Sequence, residues 1–461
     1  MTGLYACVDV GTTSIKLSVF DEELRRKNSD VLTVPVRADG LQDAEALFRA
    51  VRHLVDRGKE LGASSVGLAT YRASTVAWDR EGKPLTPIVT WTDRGSAATY
   101  RRLPAYIKLF GKIPPFDLII SPYSPVLKFL RLRELNPSLP EGCMLWTVDS
   151  YLAYRLTGKF VSDATNACLS GIIDPRTMKE IGVVKSLFKL RMETPQLVEN
   201  AERIGSYQGM EVNALIADQQ AASVAEWALD GGVGKVTNGT GTFVDIPTTG
   251  FARRGELIPL VLLKHRGKVW FGVEGYLPTT GRAVDTMLGM GLLRDYSDLE
   301  VGQSGDVVFV PALTGLQVPR APDAKGVIAG LTLGSDRAAI VSGLLRSIAF
   351  HVRLVLEQSR ESVKTLRADG GLSKSDALLK TISAATGVTV ERDADTEATS
   401  RGIAMLQLAA TGRSSLEELL RAKREREAFS MTGDAKLDEG YGKWKNLTGL
   451  LRSSKGSYLA E

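Results

Sequence analysis

The sequence predicts an α/β protein built from two related domains, and three observations support this prediction. A hairpin pattern occurs over residues 4–20, a similar pattern occurs over residues 233–246, and strand and helix patterns alternate after each of them. A unit that returns in this way indicates an internal duplication. The chain has 461 residues, which is long enough for about two or three domains with sizeable cores.

The first hairpin pattern, LYACVDVGTTSIKLSVF, has a β-branched and aromatic run, a small polar turn at 11–14 and an alternating run over 15–20. The second, VGKVTNGTGTFVDI, turns at 239–241 and resumes a strand at Phe243. We therefore expect two domains, residues 1–225 and 226–461, whose turns face one cleft.

The rest of the sequence predicts further helices and strands of an α/β fold. Apolar spacing predicts helices over 43–61, 338–356 and 375–386, and a strand over 64–70. The small residues of 397–412 predict a closely packed helix. Charges spaced three and four residues apart over 415–426 predict an exposed amphipathic helix, within a helical C-terminal extension from about residue 413.

Composition excludes several functional classes. Lys and Arg number 58 against 53 for Asp and Glu, and without a basic tract this balance does not indicate a nucleic-acid partner. The three Cys and three His residues show no zinc or disulfide spacing. The sequence also lacks a signal-peptide pattern and an uninterrupted apolar run of about 18 residues. We therefore expect a cytoplasmic protein without a membrane partner.

The two turns are candidates for phosphate binding. Gly and Thr offer backbone N–H groups and hydroxyls without bulky side chains, and Asp9 places a carboxylate, a ligand suited to Mg²⁺, beside the first turn. Tight hairpins also use Gly and Thr for structural reasons alone. Asp218 lies where a strand pattern gives way to a helix pattern, so it is either a residue presented for catalysis or a helix N-cap. Gly370 and Gly371 suit a flat ligand such as adenine, or an ordinary turn.

These segments occur in the order found in the FGGY family of carbohydrate kinases. The sequence resembles that family, and its glycerol kinases in particular, over residues 4–412, in VDVGTTSIKLSVFD, YRASTVAWDREGKPLTPIVTW, TVDSYLAYRLTGKFVSDATNACLSGIIDP, ADQQAA, TNGTGTF and ADGGLSKSDALLK. The resemblance implies duplicated actin-like (ribonuclease-H-like) domains flanking a central cleft. It also implies an ATP- and Mg²⁺-dependent kinase that phosphorylates a hydroxyl of a small polyol, sugar or nucleoside, and it admits a homodimer.

The resemblance further implies roles for individual residues. Asp218 resembles the general base, and Asp9 the carboxylate on the Mg²⁺ side. The residues that resemble phosphate ligands are Thr12, Thr13, Ser14, Lys16 and Thr240. Those that match the nucleotide side are Gly281, Asp285, Gly371 and Ser375. Those that match the polyol pocket are Arg72, Trp91, Tyr123, Asp218, Gln219 and Phe243.

The sequence departs from the glycerol-kinase pattern at Ala73, where that pattern has Glu beside Arg72. Ala73 cannot accept hydrogen bonds from substrate hydroxyls, and the substitution leaves Arg72 without that neighbouring anion. We therefore expect an acceptor larger than glycerol. The alternative hypothesis is an actin-like, nucleotide-driven binding or regulatory protein without kinase turnover.

Overall fold

The structure is a computed structural model that describes residues 3–114, 116–121, 124–301, 305–395, 397–422 and 424–453. The strands up to residue 225 are β1 Leu4–Val10, β2 Ser14–Phe20, β3 Arg26–Thr33, β4 Leu41–Gln42, β5 Ala63–Thr70, β6 Thr75–Trp78, β7 Ile88–Val89, β8 Met144–Thr147, β9 Val161–Asp163, β10 Ile173–Asp174, β11 Lys179–Glu180, β12 Gln196–Val198, β13 Ala201–Tyr207 and β14 Met210–Ala217. The helices are α1 Ala44–Glu60, α2 Gly95–Arg102, α3 Ala105–Phe110, α4 Phe116–Ile119, α5 Pro125–Leu135, α6 Val148–Thr157, α7 Ala164–Ala167, α8 Gly182–Leu187 and α9 Asp218–Ala225.

The later strands are β15 Val233–Asn238, β16 Thr242–Thr248, β17 Ile258–His265, β18 Lys268–Leu277, β19 Val308–Val310, β20 Val327–Ala329, β21 Thr365–Asp369, β22 Thr389–Asp393 and β23 Arg426–Phe429. The later helices are α10 Thr280–Gly289, α11 Arg337–Ser359, α12 Asp376–Thr386, α13 Ala398–Ala410, α14 Leu416–Arg421 and α15 Ala435–Ser453. Short 3₁₀ helices lie at Cys168–Ser170, Tyr296–Leu299 and Gly371–Lys374.

The chain forms two compact units that are discontinuous in sequence. The first contains residues 1–225, 260–269 and 398–422, and the second contains 226–259, 270–397 and 423–461. This division differs from the continuous one at 225/226, because α13 packs on β1, β5, β14 and α9 of the first unit. The place of a helix in the fold thus follows its packing face rather than its position along the chain.

The sheets of the two units have the same topology. The first is ordered β13-β14-β5-β1-β2-β3, in which β1 pairs antiparallel with β2 and parallel with β5. Six strands of the second unit follow the order β18-β16-β15-β21-β22-β23, in which β15 pairs antiparallel with β16 and parallel with β21. The two predicted hairpins, β1–β2 and β15–β16, therefore occupy equivalent places, and the predicted duplication is confirmed.

Most predicted elements are present, with one correction near the C-terminus. The helices predicted over 43–61, 338–356 and 375–386 are α1, α11 and α12, and Asp43 caps α1 by accepting the N–H of Ala46 at 2.9 Å. The helix predicted over 415–426 is wrong beyond Arg421. Residues Arg426–Phe429 form β23 and pair with β22, because the exposed edge of β22 offers backbone partners that the charge spacing does not reveal.

The close packing predicted for 397–412 is confirmed. A Cβ at Gly402 of α13 would overlap the carbonyl oxygen of Ala221 in α9, so only glycine allows this approach. The buried Gln407 side chain also donates to the carbonyl of Ala6 at 2.9 Å and accepts from the Ser65 hydroxyl at 2.7 Å. Helix α13 is thereby fixed to the central strands of the first sheet.

Among the described helices, α11 is the one whose length and hydropathy match those of a membrane span. Its most apolar 18-residue window is 78% buried inside the structure. It forms the centre of the second core, where Leu344, Ile348 and Val352 are fully buried. A core helix passes the same test as a membrane span, so the match is weak support for one.

The buried His351 on α11 should make the stability pH-dependent. Burial lowers its pKa from 6.5 to about 4, while Nδ1 lies 3.0 Å from the carbonyl oxygen of Val318. Between pH 6.5 and about 4, His351 is protonated in the unfolded state but neutral in the folded state. The free energy of unfolding should therefore fall as pH falls through this range, by up to about 3 kcal/mol. Urea unfolding at pH 4.5 and 7 should show a smaller fall for His351→Gln than for the wild type. Equal falls would contradict this assignment.

Candidate active site

The first candidate residues follow three strand ends that lie side by side. In the parallel pairing of β1, β5 and β14, Val10 is in register with Thr70, and Thr70 with Ala217. Each strand end continues directly into a segment singled out from the sequence: the Gly11 turn, the segment at Arg72, and Asp218. The carboxyl edge of one sheet therefore brings these segments together.

The turn after β1 is closed by its own backbone and held from outside. The N–H of Gly11 donates to the carbonyl of Ser14 at 2.9 Å. The carbonyl of Thr12 accepts from Gln42 Nε2 at 2.9 Å, and the hydroxyl of Thr12 accepts from Trp91 Nε1 at 2.9 Å. Thr12 is thus held through both its backbone carbonyl and its side-chain hydroxyl. The indole N–H of Trp91 is the donor to that hydroxyl.

Gln42 is a component of this site that sequence reasoning missed. It is fully buried, and its Oε1 accepts the hydroxyl of Tyr71 at 2.6 Å. In the sequence, Gln42 is an isolated amide residue between an apolar residue and a helix-cap residue. No motif distinguishes it from an ordinary core residue. By contrast, Thr13 and Ser14 are exposed, so their hydroxyls lie at the surface of the turn.

Arg72 and Asp218 form an ion pair at the same sheet edge. Arg72 Nε lies 3.7 Å from Asp218 Oδ1, with side chains 11% and 24% exposed. The expectation that Arg72 lacks a neighbouring anion is therefore wrong, because Asp218 provides one. Asp218 is the first residue of α9 and its Oδ1 accepts the N–H of Gln219 at 2.7 Å, so both predicted residues lie at this point.

Ala73 occupies an unusual backbone conformation beside that ion pair. Its φ is +54°, in the left-handed region that costs an L-residue about 1 kcal/mol or more. The neighbouring Ser74 hydroxyl donates to the carbonyl of Arg72 at 3.0 Å and accepts the N–H of Trp91 at 2.9 Å. The bend at Ala73 therefore links Arg72 to Trp91.

Asp9 is the candidate on the metal side. It lies near the end of β1, half-buried and in register with Lys16 of β2. Within the described ranges, no cluster of three or more His, Cys, Asp or Glu residues could hold a metal ion by itself. A single carboxylate is nevertheless sufficient for Mg²⁺ that binds together with substrate phosphates and water.

The turn after β15 rests on a buried polar network in the second unit. The N–H of Gly239 donates to the carbonyl of Gly241 at 2.9 Å. The Thr242 hydroxyl bonds Asn238 Oδ1 at 2.9 Å, and Asn238 Nδ2 donates to the Ser373 hydroxyl at 3.1 Å. The turn and the Gly370–Gly371 segment are thereby tied together at the carboxyl ends of β15 and β21.

A cavity of about 680 Å³ opens beside this turn, within the size range of small-ligand sites. Five residues predicted for the nucleotide and phosphate sites line it: Thr240, Gly281, Asp285, Gly371 and Ser375. The other lining residues are Gly239, Tyr296, Ser297, Leu299, Glu300, Leu372 and Lys374. Segments far apart in sequence therefore share one wall.

Glycines shape this cavity in two different ways. A Cβ at Gly281 would overlap the carbonyl oxygen of Gly239, since the Gly281 N–H donates to the Thr240 carbonyl at 3.0 Å. At Gly371, an added Cβ would meet nothing within 4 Å. Gly281 is thus needed for the contact between α10 and the turn, whereas Gly371 leaves the cavity open.

Two predicted side chains in the cavity are engaged by neighbours. Asp285 Oδ1 accepts the hydroxyl of Tyr296 at 2.8 Å. Ser375 accepts the N–H of Leu378 at 3.2 Å and so caps α12. Sequence reasoning missed the wall at 296–300, because a short 3₁₀ helix in a loop carries no motif.

The two remaining residues predicted for the polyol pocket are Phe243 and Tyr123. Phe243 belongs to β16 of the second unit, where it stacks on Tyr276 with ring centroids 5.2 Å apart. Tyr123 lies outside the described residues. In the described part of the first unit, the residues assembled at the strand ends are accordingly Thr12, Arg72, Trp91, Asp218 and Gln219.

Comparison with known proteins identifies relatives along most of the chain. Family models for the FGGY family of carbohydrate kinases match residues 4–216 (N-terminal domain) and 266–411 (C-terminal domain). A glycerol kinase of Thermus brockianus is 32% identical over 79% of this chain and 79% of its own. An uncharacterized sugar kinase of Archaeoglobus fulgidus is 28% identical over 97% and 99%. The crystal structure of Plasmodium falciparum glycerol kinase with ADP has a TM-score of 0.86, at 24% identity over 98% of each chain.

Substitutions at Gly281 and Gly371 give a matched pair of variants. Gly281→Ala should lower stability by about 1 to 3 kcal/mol, because its methyl group forces α10 away from the turn. Gly371→Ala should leave stability within about 0.5 kcal/mol, since its methyl group enters open space. Denaturant unfolding of both variants measures the difference. Equal losses of stability would contradict the steric distinction.

Proposed function

Because the chain belongs to the FGGY family of carbohydrate kinases, we propose that it transfers the γ-phosphoryl group of ATP to a hydroxyl of a small polyol or sugar. The observation that supports this most is the row of strand ends in the first unit, which joins a Gly/Thr turn to the Arg72–Asp218 pair. The first unit would supply the acceptor and phosphate side, and the second the nucleotide side.

On the acceptor side, Asp218 is the general base. Its partly exposed carboxylate accepts the proton of the attacking hydroxyl as the new oxygen–phosphorus bond forms and the bond from the γ-phosphoryl group to the departing ADP breaks. Arg72 stays beside that carboxylate and orients it. Gln219 and Trp91, with Tyr123 and Phe243, are the further acceptor contacts in this proposal.

On the donor side, the cavity of the second unit receives the nucleoside. Gly371 and Gly281 give the ligand access to the backbone, and the exposed Thr240 offers a hydroxyl to phosphate. Asp285 and Ser375 offer oxygens to ribose or base donors. Thr12, Thr13, Ser14 and Lys16 hold phosphate oxygens from the first turn.

Asp9 is the residue that would hold Mg²⁺ through oxygen or water. When bound, the ion neutralises charge on the phosphates during transfer. Asp9 fits this role because it is a half-buried carboxylate near the first turn, and Mg²⁺ that binds with substrate phosphates takes one or two carboxylates from the protein. This proposal also places the enzyme in the cytoplasm and allows a homodimer.

The acceptor is larger than glycerol in this proposal. Ala73 carries a methyl group where the glycerol-kinase pattern has a carboxylate, so a ketose, a longer polyol or a nucleoside ribose would bring its own oxygen to Arg72. Because Asp218 already lies near Arg72, this oxygen is hydroxyl or carbonyl in character rather than a replacement anion. Activity over glycerol, tetritols, ketopentoses, hexitols and nucleosides would identify it.

Asp218→Asn tests the base directly. The amide keeps the size of the side chain but cannot accept the proton, so kcat should fall by about 10²-fold or more. Titration calorimetry with ATP should give an affinity close to that of the wild type, which controls for folding. Turnover near the wild-type level in the folded variant would refute the assignment.

Ala73→Glu tests the acceptor preference. The new carboxylate should raise kcat/KM for glycerol relative to the best larger acceptor by about 10-fold or more. The backbone already accommodates an L-residue at a φ of +54°, so the substitution adds no new strain. Ala73→Gln is the matched neutral control and should shift the ratio less. A wild-type preference for glycerol over every larger acceptor would show that the size argument is wrong.

A further inference from the structure

A fully buried carboxylate, Asp163, organises the interior of the first unit behind the candidate base. Asp163 ends β9 and caps α7, accepting the N–H groups of Thr165 at 2.8 Å and Asn166 at 3.1 Å. It also accepts the hydroxyl of Thr165, and the side-chain amides of Asn166 at 2.7 Å and Asn200 at 3.1 Å. Five donors therefore converge on one carboxylate.

The residues bound to Asp163 reach two of the three aligned strand ends. The Thr165 hydroxyl accepts the N–H of Ala217 at 2.9 Å, and Ala217 is the last residue of β14 before Asp218. Asn166 Nδ2 also lies 3.3 Å from the hydroxyl of Thr70, which ends β5 two residues before Arg72. One cluster thus contacts the last residue of each strand that leads to a member of the ion pair.

The cluster contains two buried carboxylates, Asp149 and Asp163, and burial raises the pKa of both. Burial and the neighbouring Asp163 raise the pKa of Asp149 to about 7, so Asp149 readily holds a proton. Asp149 accepts the Ser162 hydroxyl at 2.6 Å. The five donors around Asp163 favour its ionised form. A buried anion with satisfied hydrogen bonds holds its neighbours in one arrangement, because any displacement leaves buried donors unpaired.

We propose that Asp163 and Thr165 are positioning residues for phosphoryl transfer, which fix the carboxylate of Asp218 through the backbone of Ala217. The proposal rests on the proposed role of Asp218 as general base. Asp163 and Thr165 are both fully buried; Thr165 contacts the end of β14 directly, and Asp163 holds Thr165 and Asn166 in place. Their effect on turnover is therefore indirect and passes mainly through the hydrogen bond from Ala217 to Thr165, with the bond from Asn166 to Thr70 as a second link to the sheet edge.

The test compares two substitutions of Thr165. Thr165→Val keeps the shape but removes the hydroxyl, so Ala217 loses its acceptor and Asp218 shifts. Because misplacements of about 1 Å can cost about 10²-fold, kcat should fall by at least about 10-fold, with KM for ATP changed less than about 2-fold. Thr165→Ser restores the hydroxyl and should recover kcat to within about 3-fold of the wild type.

Thr157→Val is the matched control, since the described partners of the Thr157 hydroxyl are local: it donates to the Ala153 carbonyl at 2.7 Å and accepts the N–H of Lys159 at 3.2 Å. It should lose comparable thermal stability and keep wild-type kcat. If Thr165→Val does not fold, Asn166→Ala, which removes the link to Thr70, replaces it and should likewise lower kcat. Wild-type kcat in the folded Thr165→Val variant, or an equal loss in Thr157→Val, would overturn the proposal.

A double variant separates this proposal from the proposed function. If Thr165 acts through Asp218, Thr165→Val should cause no further fall in kcat in the Asp218→Asn background. Independent, multiplying losses would overturn the positioning role. If Asp218→Asn alone retains full turnover, the proposed base is wrong, whatever Thr165→Val does.

Discussion

The parallel register of β1, β5 and β14 is the constraint on which the first site depends. Residues in register at the ends of parallel strands emerge at one sheet edge, so the segments after Val10, Thr70 and Ala217 are adjacent although more than a hundred residues of chain separate the last two. A shift of one residue would turn alternate side chains to the opposite face. The backbone pairing of β5 and β14 thus brings Arg72 and Asp218 next to each other. The contact between their side chains follows from that placement.

Local sequence pattern was enough to predict the two hairpins and three of the main helices. It failed for elements whose hydrogen-bond partners are far away in the sequence. The hairpins, α1, α11 and α12 follow from periodicity and caps, which are properties of neighbouring residues. Strand β23 could not be predicted, because its pairing with β22 depends on an edge that only the folded chain exposes. The same limit explains why Gln42 and the wall at 296–300 were missed.

The candidate site shows a similar division. Asp218 and the two Gly/Thr turns were singled out from residue type and position, and Arg72 from the resemblance to the glycerol kinases. Their supports were not, since the bond from Ala217 to Thr165 joins residues 52 positions apart and the hydroxyl of Thr165 has no signature of its own. The sequence therefore predicts the groups that carry the chemistry better than those that hold them.

The two equivalent sheet edges end in different residue types, which gives a physical reason for different roles. In the first unit, strands β1, β5 and β14 lead into Thr12, Arg72 and Asp218, so this edge presents hydroxyl and charged groups. In the second, β15 and β21 are paired with Thr237 in register with Asp369, and they lead into glycines at 239 and 370–371. That edge therefore presents backbone and an open cavity. Under the proposed function, the second copy would bind the flat part of a nucleotide and the first would carry out proton and phosphoryl transfer, without any change in strand topology.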